Sequence, residues 1–322
     1  MTADEWYREF LKYFCPILMG TSIFFQVILI YVIFFHSPKY LNTMRVFIGN
    51  TSIFQIGMVF VSCMAQFRLV ADQIPVEMRC YGVICRHFEA HIGYTIYEIE
   101  QACAVSGYMS IVTTFYLKYE AVRSLNLKSK RIKLNIFLIH VPALTSYVTE
   151  ALTVYTVAMP EETRKYYLEV NKDNTVYAVF GGSLKNIASQ LNLLILSFVV
   201  CFVPFIGLWL RKQTLDRINT QLNNSSTLNK NHTKMFVKGL TIQVLLPLIC
   251  YVPIFLVYYY CLATHYEILF QQYFITLIPA FPALVDPCVA LYFVAPYRKK
   301  IKTWLRMEKS STVAAPVRNV SI

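Results

Sequence analysis

The chain has 322 residues, of which 56% are hydrophobic and only 15% charged, whereas soluble domains average roughly 45–50% and about 25%. Low charge together with 23 Tyr and 23 Phe excludes a disordered chain, because so much apolar surface must be buried or placed in lipid. A net charge of +12 raises nucleic-acid binding, but the basic residues sit between long apolar runs, which points to a membrane and to no nucleic-acid partner.

A helix needs about 20 apolar residues to cross roughly 30 Å of hydrocarbon. Seven runs meet that length: 14–35, 46–67, 93–117, 136–159, 187–210, 239–263 and 273–294. The first, second, fifth and sixth carry no charge; the third holds Glu98 and Glu100, the fourth Glu150 and the seventh Asp286. The expected fold is an all-α membrane protein, a bundle of seven transmembrane helices over 14–294.

Cytoplasmic loops accumulate Lys and Arg. The loops fall into two sets: the one holding 36–45, 118–135, 211–238 and 295–322 has 21 of these residues, and the other 9. The N-terminus, residues 1–13, is therefore expected outside, and the 295–322 tail in the cytoplasm. Residues 1–13 lack the basic start and cleavage site of a signal peptide, so the first run reads as an uncleaved anchor. Within the tail, Ile301, Trp304 and Leu305 among Lys299, Lys300, Lys302 and Arg306 predict a short amphipathic helix on the inner surface.

Catalytic signatures such as GxxxxGK[ST], HExxH, GxSxG and CxxC are absent, so the reading is not an enzyme and calls for no metal or cofactor. Six of the nine Cys fall inside runs as small hydrophobes, while Cys80, Cys85 and Cys261 lie outside or at the outer boundary. Cys80 and Cys85 are candidates for a local disulfide.

Ionisable groups within a span are expensive and face the bundle interior, which makes them site candidates. Counting back from Leu117 puts Glu98 at interfacial water and Glu100 about one turn deeper, the two pointing about 200° apart. Glu100 heads a small-residue stripe with Ala104 and Gly107. With Glu150, Gln190, Asn192, Tyr258 and Tyr259 it lines an expected outward-opening ligand cavity. The competing reading has the acids bonding to neighbouring helices and the tyrosines forming the interfacial aromatic belt.

Asp286 lies deeper, beside Pro287, and reads as a switch rather than a ligand contact. Gln55 stands at similar depth and Asn50 one turn shallower, so a polar contact there holds either one bundle arrangement or a fixed structural bond. Pro253 is the expected hinge of the sixth helix.

Three stretches resemble a known family. His232 to Pro247 enters the sixth helix, and Pro282-Ala-Leu-Val-Asp-Pro287 followed by Tyr292-Phe-Val-Ala-Pro-Tyr-Arg298 closes the seventh. At the end of the third, Phe115, Tyr119 and Ala121 fit the pattern, with Leu117 and Lys118 replacing its Tyr and Arg. The chain resembles the nematode seven-transmembrane chemoreceptors of the Str superfamily, most of all serpentine receptor class delta. A looser likeness to rhodopsin-type receptors lies in Cys250-Tyr-Val-Pro253 and Asp286-Pro287, but no Lys occurs in the seventh run, which excludes a retinal Schiff base.

The resemblance implies a chemosensory G-protein-coupled receptor in sensory-neuron membrane, expected in cilia, binding a small environmental or pheromonal molecule. Its partner would be a heterotrimeric G protein, met by Lys118, Arg123, Arg217 and Lys234, with anionic lipids at the inner leaflet as the other use of those charges. The rival functions are a ligand-gated cation channel of the insect odorant-receptor type, with inverted topology, and a small-solute transporter. The lack of an internal repeat weighs against the transporter.

Overall fold

The computed structural model describes residues 2–37, 42–70, 76–84, 90–123, 178–182, 187–221 and 227–305, most of 137–148, and positions 162 and 165. Among the described residues, five helical stretches are long and apolar enough to cross a membrane: Ala3–His36, Arg45–Ala65, Gln190–Arg217, Val237–Thr264 and Leu269–Phe293. A further long helix, Ala90–Arg123, covers the third run. The fourth run is helical at its described positions, 137–138, 140–145 and 147–148, and the rest of it lies outside the described residues.

The helices outrun the apolar stretches that predicted them. The first starts at Ala3, so residues 3–13 are helix rather than a separate N-terminal segment. Thr2 begins it with a capping box: its Oγ1 accepts from the Glu5 amide at 3.3 Å, and Glu5 Oε2 accepts from the Thr2 amide at 2.8 Å. Asp4 and Glu5 in the first turn also complement the helix dipole. The fifth-run helix spans Ile187–Gln221 and the sixth Thr227–Thr264.

The seventh run is not one helix. It divides into Leu269–Phe274, a 3-10 turn at Ile278–Ala280, and Pro282–Phe293. Pro279 and Pro282 explain the division, since neither supplies the amide that a continuous helix would need. Ala295–Trp304 then forms the expected short helix, anchored by Tyr297, which is fully buried and shares a 2.6 Å hydrogen bond with Ser37.

Three short strands were not anticipated. Phe67–Val70 (β1), Val76–Cys80 (β2) and Ala178–Gly182 (β3) form an antiparallel sheet in the order β1-β2-β3. Phe67 pairs with Cys80, and Cys80 with Ala178. Gln66, at φ 48, takes the left-handed conformation that turns the chain from the second helix into β1. Phe67, Leu69, Met78 and Cys80 join Tyr94, Ile254 and Tyr258 in one buried cluster, so the sheet closes one end of the bundle.

Close helix contacts use small residues, as in membrane bundles generally. A Cβ at Gly239 would stand 2.5 Å from that of Phe293, and one at Gly207 would stand 2.7 Å from a Val244 methyl. Large apolar side chains cover the outside instead, among them Ile17, Phe24, Phe34, Phe198, Phe205 and Leu256.

Candidate functional site

Polar groups inside the bundle gather at three levels. The first is beneath the sheet. Arg68, which is 6% exposed, donates from Nη1 to Asp4 Oδ1 at 2.6 Å and from Nε to Gln272 Oε1 at 2.8 Å. Its Nη2 lies 3.5 Å from Glu267. Its guanidinium carbon stands 4.9 Å from the Tyr273 ring centre, and the Tyr273 hydroxyl donates to Asp4 at 2.7 Å. Burial works against the Arg68 charge, but Tyr273, Tyr81 and Asp4 more than offset it, so its pKa stands above the ordinary arginine value.

This cluster joins the first helix, β1 and the Leu269–Phe274 segment. Sequence reading missed it by counting Arg68 only as a loop charge. The available signal was a lone Arg directly following an apolar run, where a buried cation needs acids nearby.

The second level holds the third helix's acids. Glu100 Oε1 accepts from Ser62 on the second helix at 2.7 Å, while Glu98 Oε2 accepts from Asn192 on the fifth at 2.9 Å. The two acids therefore face different neighbours, as their spacing dictates. Glu98 does not open onto solvent as expected: it is 3% exposed, against 2% for Glu100. The third helix begins at Ala90, so Glu98 lies two turns inside it.

The expected cavity residues are thus divided. Asn192 belongs with Glu98 rather than Glu100, and Tyr259 shares a 2.7 Å hydrogen bond with Ser197. Tyr258 is buried in the apolar cluster under the sheet. Gln190 is exposed near the start of the fifth-run helix. Glu150 lies outside the described residues. Glu100 Oε2 is buried with no hydrogen-bond partner among the described residues.

The third level is deeper. Gln55 donates to Asp286 Oδ2, and Gln26 donates to both Gln55 Oε1 and the Ala283 carbonyl at 2.8 Å. Gln243 on the sixth helix donates to the Asp286 carbonyl at 3.4 Å. One cluster therefore joins the first, second, sixth and seventh helices. Gln26 was missed because an amide is polar but uncharged, and charge was the signal followed. Asn50 stands apart from this cluster, donating to Ser110 at 2.6 Å and lying 3.1 Å from His140. Pro253 is exposed within the sixth helix.

At the opposite end from the sheet, the Arg217 guanidinium lies 5.1 Å from the Tyr119 ring centre, bridging the fifth and third helices. Lys234 is half-buried on the sixth. The side chains of Lys118 and Arg123 lie outside the described residues. Cys80 is in a disulfide whose partner lies outside the described residues, as Cys85 does, whereas Cys261 is a buried thiol. A bridge from Cys80 to Cys261 is thereby excluded.

Long apolar helices packed around buried polar clusters define a multi-pass membrane protein. The chain belongs to the family described as the serpentine type 7TM GPCR chemoreceptor Srd, which matches residues 11–303. It is 46% identical over 314 residues to serpentine receptor class delta-40 of Caenorhabditis elegans, covering 97% of this chain and 98% of that protein. Serpentine receptor class delta-47 of the same organism is 35% identical, over 94% of this chain and 96% of its own. Class delta-45 is 33% identical, over 95% and 96%. This is a chemoreceptor family, a class not known for enzymes.

Proposed function

We propose that the protein is a chemosensory G-protein-coupled receptor with seven spans, its N-terminus outside and its tail in the cytoplasm of a sensory neuron, in ciliary membrane. It binds a small environmental or pheromonal molecule and activates a heterotrimeric G protein. The observation that carries this reading is the family match across residues 11–303. The loop charges support the orientation.

The ligand is placed between the outer halves of the third to seventh helices, near Glu100, Glu150, Gln190, Asn192, Tyr258 and Tyr259. The Asp286–Gln55 contact is the switch, read with Asn50 and with Pro253 as the hinge. Ligand binding shifts this equilibrium only by its differential affinity for the two arrangements. Lys118, Arg123, Arg217 and Lys234 meet the G protein, and the neighbouring tail meets anionic lipid.

The test is ligand-stimulated nucleotide exchange on a purified heterotrimeric G protein, scanned over a chemical panel with ion current recorded in parallel. Exchange without current supports the receptor; current without exchange identifies a channel. A glycosidase-sensitive mass shift traced to Asn231 would overturn the orientation.

A further inference from the structure

The first helix, the end of the second, residues 81–83 and Tyr273 line a groove beside the Arg68 cluster. Its volume is about 760 Å³, within the ~300–1,000 Å³ usual for small-molecule sites. The lining changes along its length. At one end stand Glu5, Arg8, Glu9 and Lys12; farther along come Leu11, Pro16 and Met19, facing Cys63 and Met64 of the second helix. From Glu5 to Met19 the helix rises about 21 Å.

The charged end is balanced, with two acids and two bases. Arg8 is paired with Asp4 at 3.1 Å, and Lys12 with Glu9 at 3.6 Å. A head group of one sign would meet a like charge there and break one of these pairs. A zwitterionic head group can exchange partners with both signs.

The groove is also open on one side. Among the lining residues, Glu5, Glu9, Lys12 and Pro16 are exposed and recur at helical spacing. Pro16 lies inside the apolar run 14–35, so at its depth the opening faces hydrocarbon. A slot that opens to hydrocarbon beneath a charge-balanced rim has the polarity profile of an amphiphile. A volume of about 760 Å³ suits an amphiphile with one chain rather than two.

We propose that this groove binds a single-chain zwitterionic amphiphile of the lysophosphatidylcholine type, entering sideways from the leaflet that holds the N-terminus. The head group sits among Glu5, Arg8, Glu9 and Lys12, and the chain runs along Pro16, Met19 and Met64. Tyr81 and Tyr273 line the groove and also contact Arg68, so its occupancy bears directly on the Arg68 cluster.

The full chain, reconstituted in nanodiscs of two-chain phosphatidylcholine, is irradiated with a diazirine-bearing lysophosphatidylcholine, and the adducts are mapped by mass spectrometry. Label is expected on 5–19, 63–66 and 81–83, displaced by unlabelled lysophosphatidylcholine. Met19→Trp and Pro16→Trp, which place an indole among the lining residues, should each reduce it about tenfold. A fatty-acid probe of equal chain length should label about tenfold less. Equal labelling of the exposed Phe198, Phe202 and Phe205 face, no effect of either Trp variant, or equal labelling by the fatty acid would each overturn the proposal. The readout is adduct position, so it is independent of whether the receptor reading holds.

Discussion

Arg68 and Asp4, 64 residues apart in sequence, meet at 2.6 Å beneath the sheet. The contact ties the first turn of the first helix to the strand that leaves the second. Arg68 also reaches Gln272 and Glu267, so the outer end of the seventh run belongs to the same assembly. Breaking a buried pair by removing one partner costs about 3–5 kcal/mol, because the other charge remains.

Arg68→Ala is therefore expected to lower stability by roughly 3 kcal/mol. Asp4→Ala should cost less, because the Asp4 side chain is 26% exposed. Thermal unfolding of the solubilised protein, followed by a thiol-reactive dye, measures both. Equal losses would show that the cluster does not depend on the guanidinium.

Asp286→Asn and Gln55→Ala should each change basal nucleotide exchange at matched surface expression. The double variant should change it no more than the stronger single, because neighbours sharing one contact are not additive. A change in expression alone would make the contact a structural bond.

Glu100→Gln is expected to shift agonist potency while leaving signalling by a constitutively active form intact. Asn192→Leu removes one partner of Glu98 and should destabilise by about 1–3 kcal/mol. Potency curves and unfolding curves on the same preparations separate ligand contact from packing.

Lys118→Ala and Arg123→Ala should reduce agonist-driven exchange with ligand binding retained. Arg217→Ala should do the same more weakly, since its stacking on Tyr119 is worth about 0.5–2 kcal/mol at a half-buried site. Unchanged exchange in the Lys118 and Arg123 variants, alone and together, would remove the third helix's end from the coupling surface.

Non-reducing peptide mapping should join Cys80 to Cys85. So short a loop limits the stabilisation to about 2 kcal/mol. Finding Cys85 as a free thiol would reject the pairing.

The apolar runs were legible because a membrane imposes one length on any helix that crosses it. Equal depth in the second and seventh runs also put Gln55 and Asp286 side by side, and the structure joins them. The sheet was not legible: β1 and β2 are 4 and 5 residues long, too short for period-2 alternation to stand out, and Phe67 ended an apolar run. Glu98 was expected to reach water, but Asn192 of the fifth-run helix covers it, a contact between helices that no single run displays. The division of the seventh run was readable from Pro279 and Pro282 but was obscured by uninterrupted apolarity.

That division makes two levers of one run. Leu269–Phe274 is bound to Arg68 through Gln272 and Tyr273, while Pro282–Phe293 is bound to Gln26 and Gln55 through Ala283 and Asp286. Only the short turn at Ile278–Ala280 lies between them. Substitutions in Leu269–Phe274 can therefore disturb the Arg68 cluster while Pro282–Phe293 keeps its register on Gln26 and Gln55.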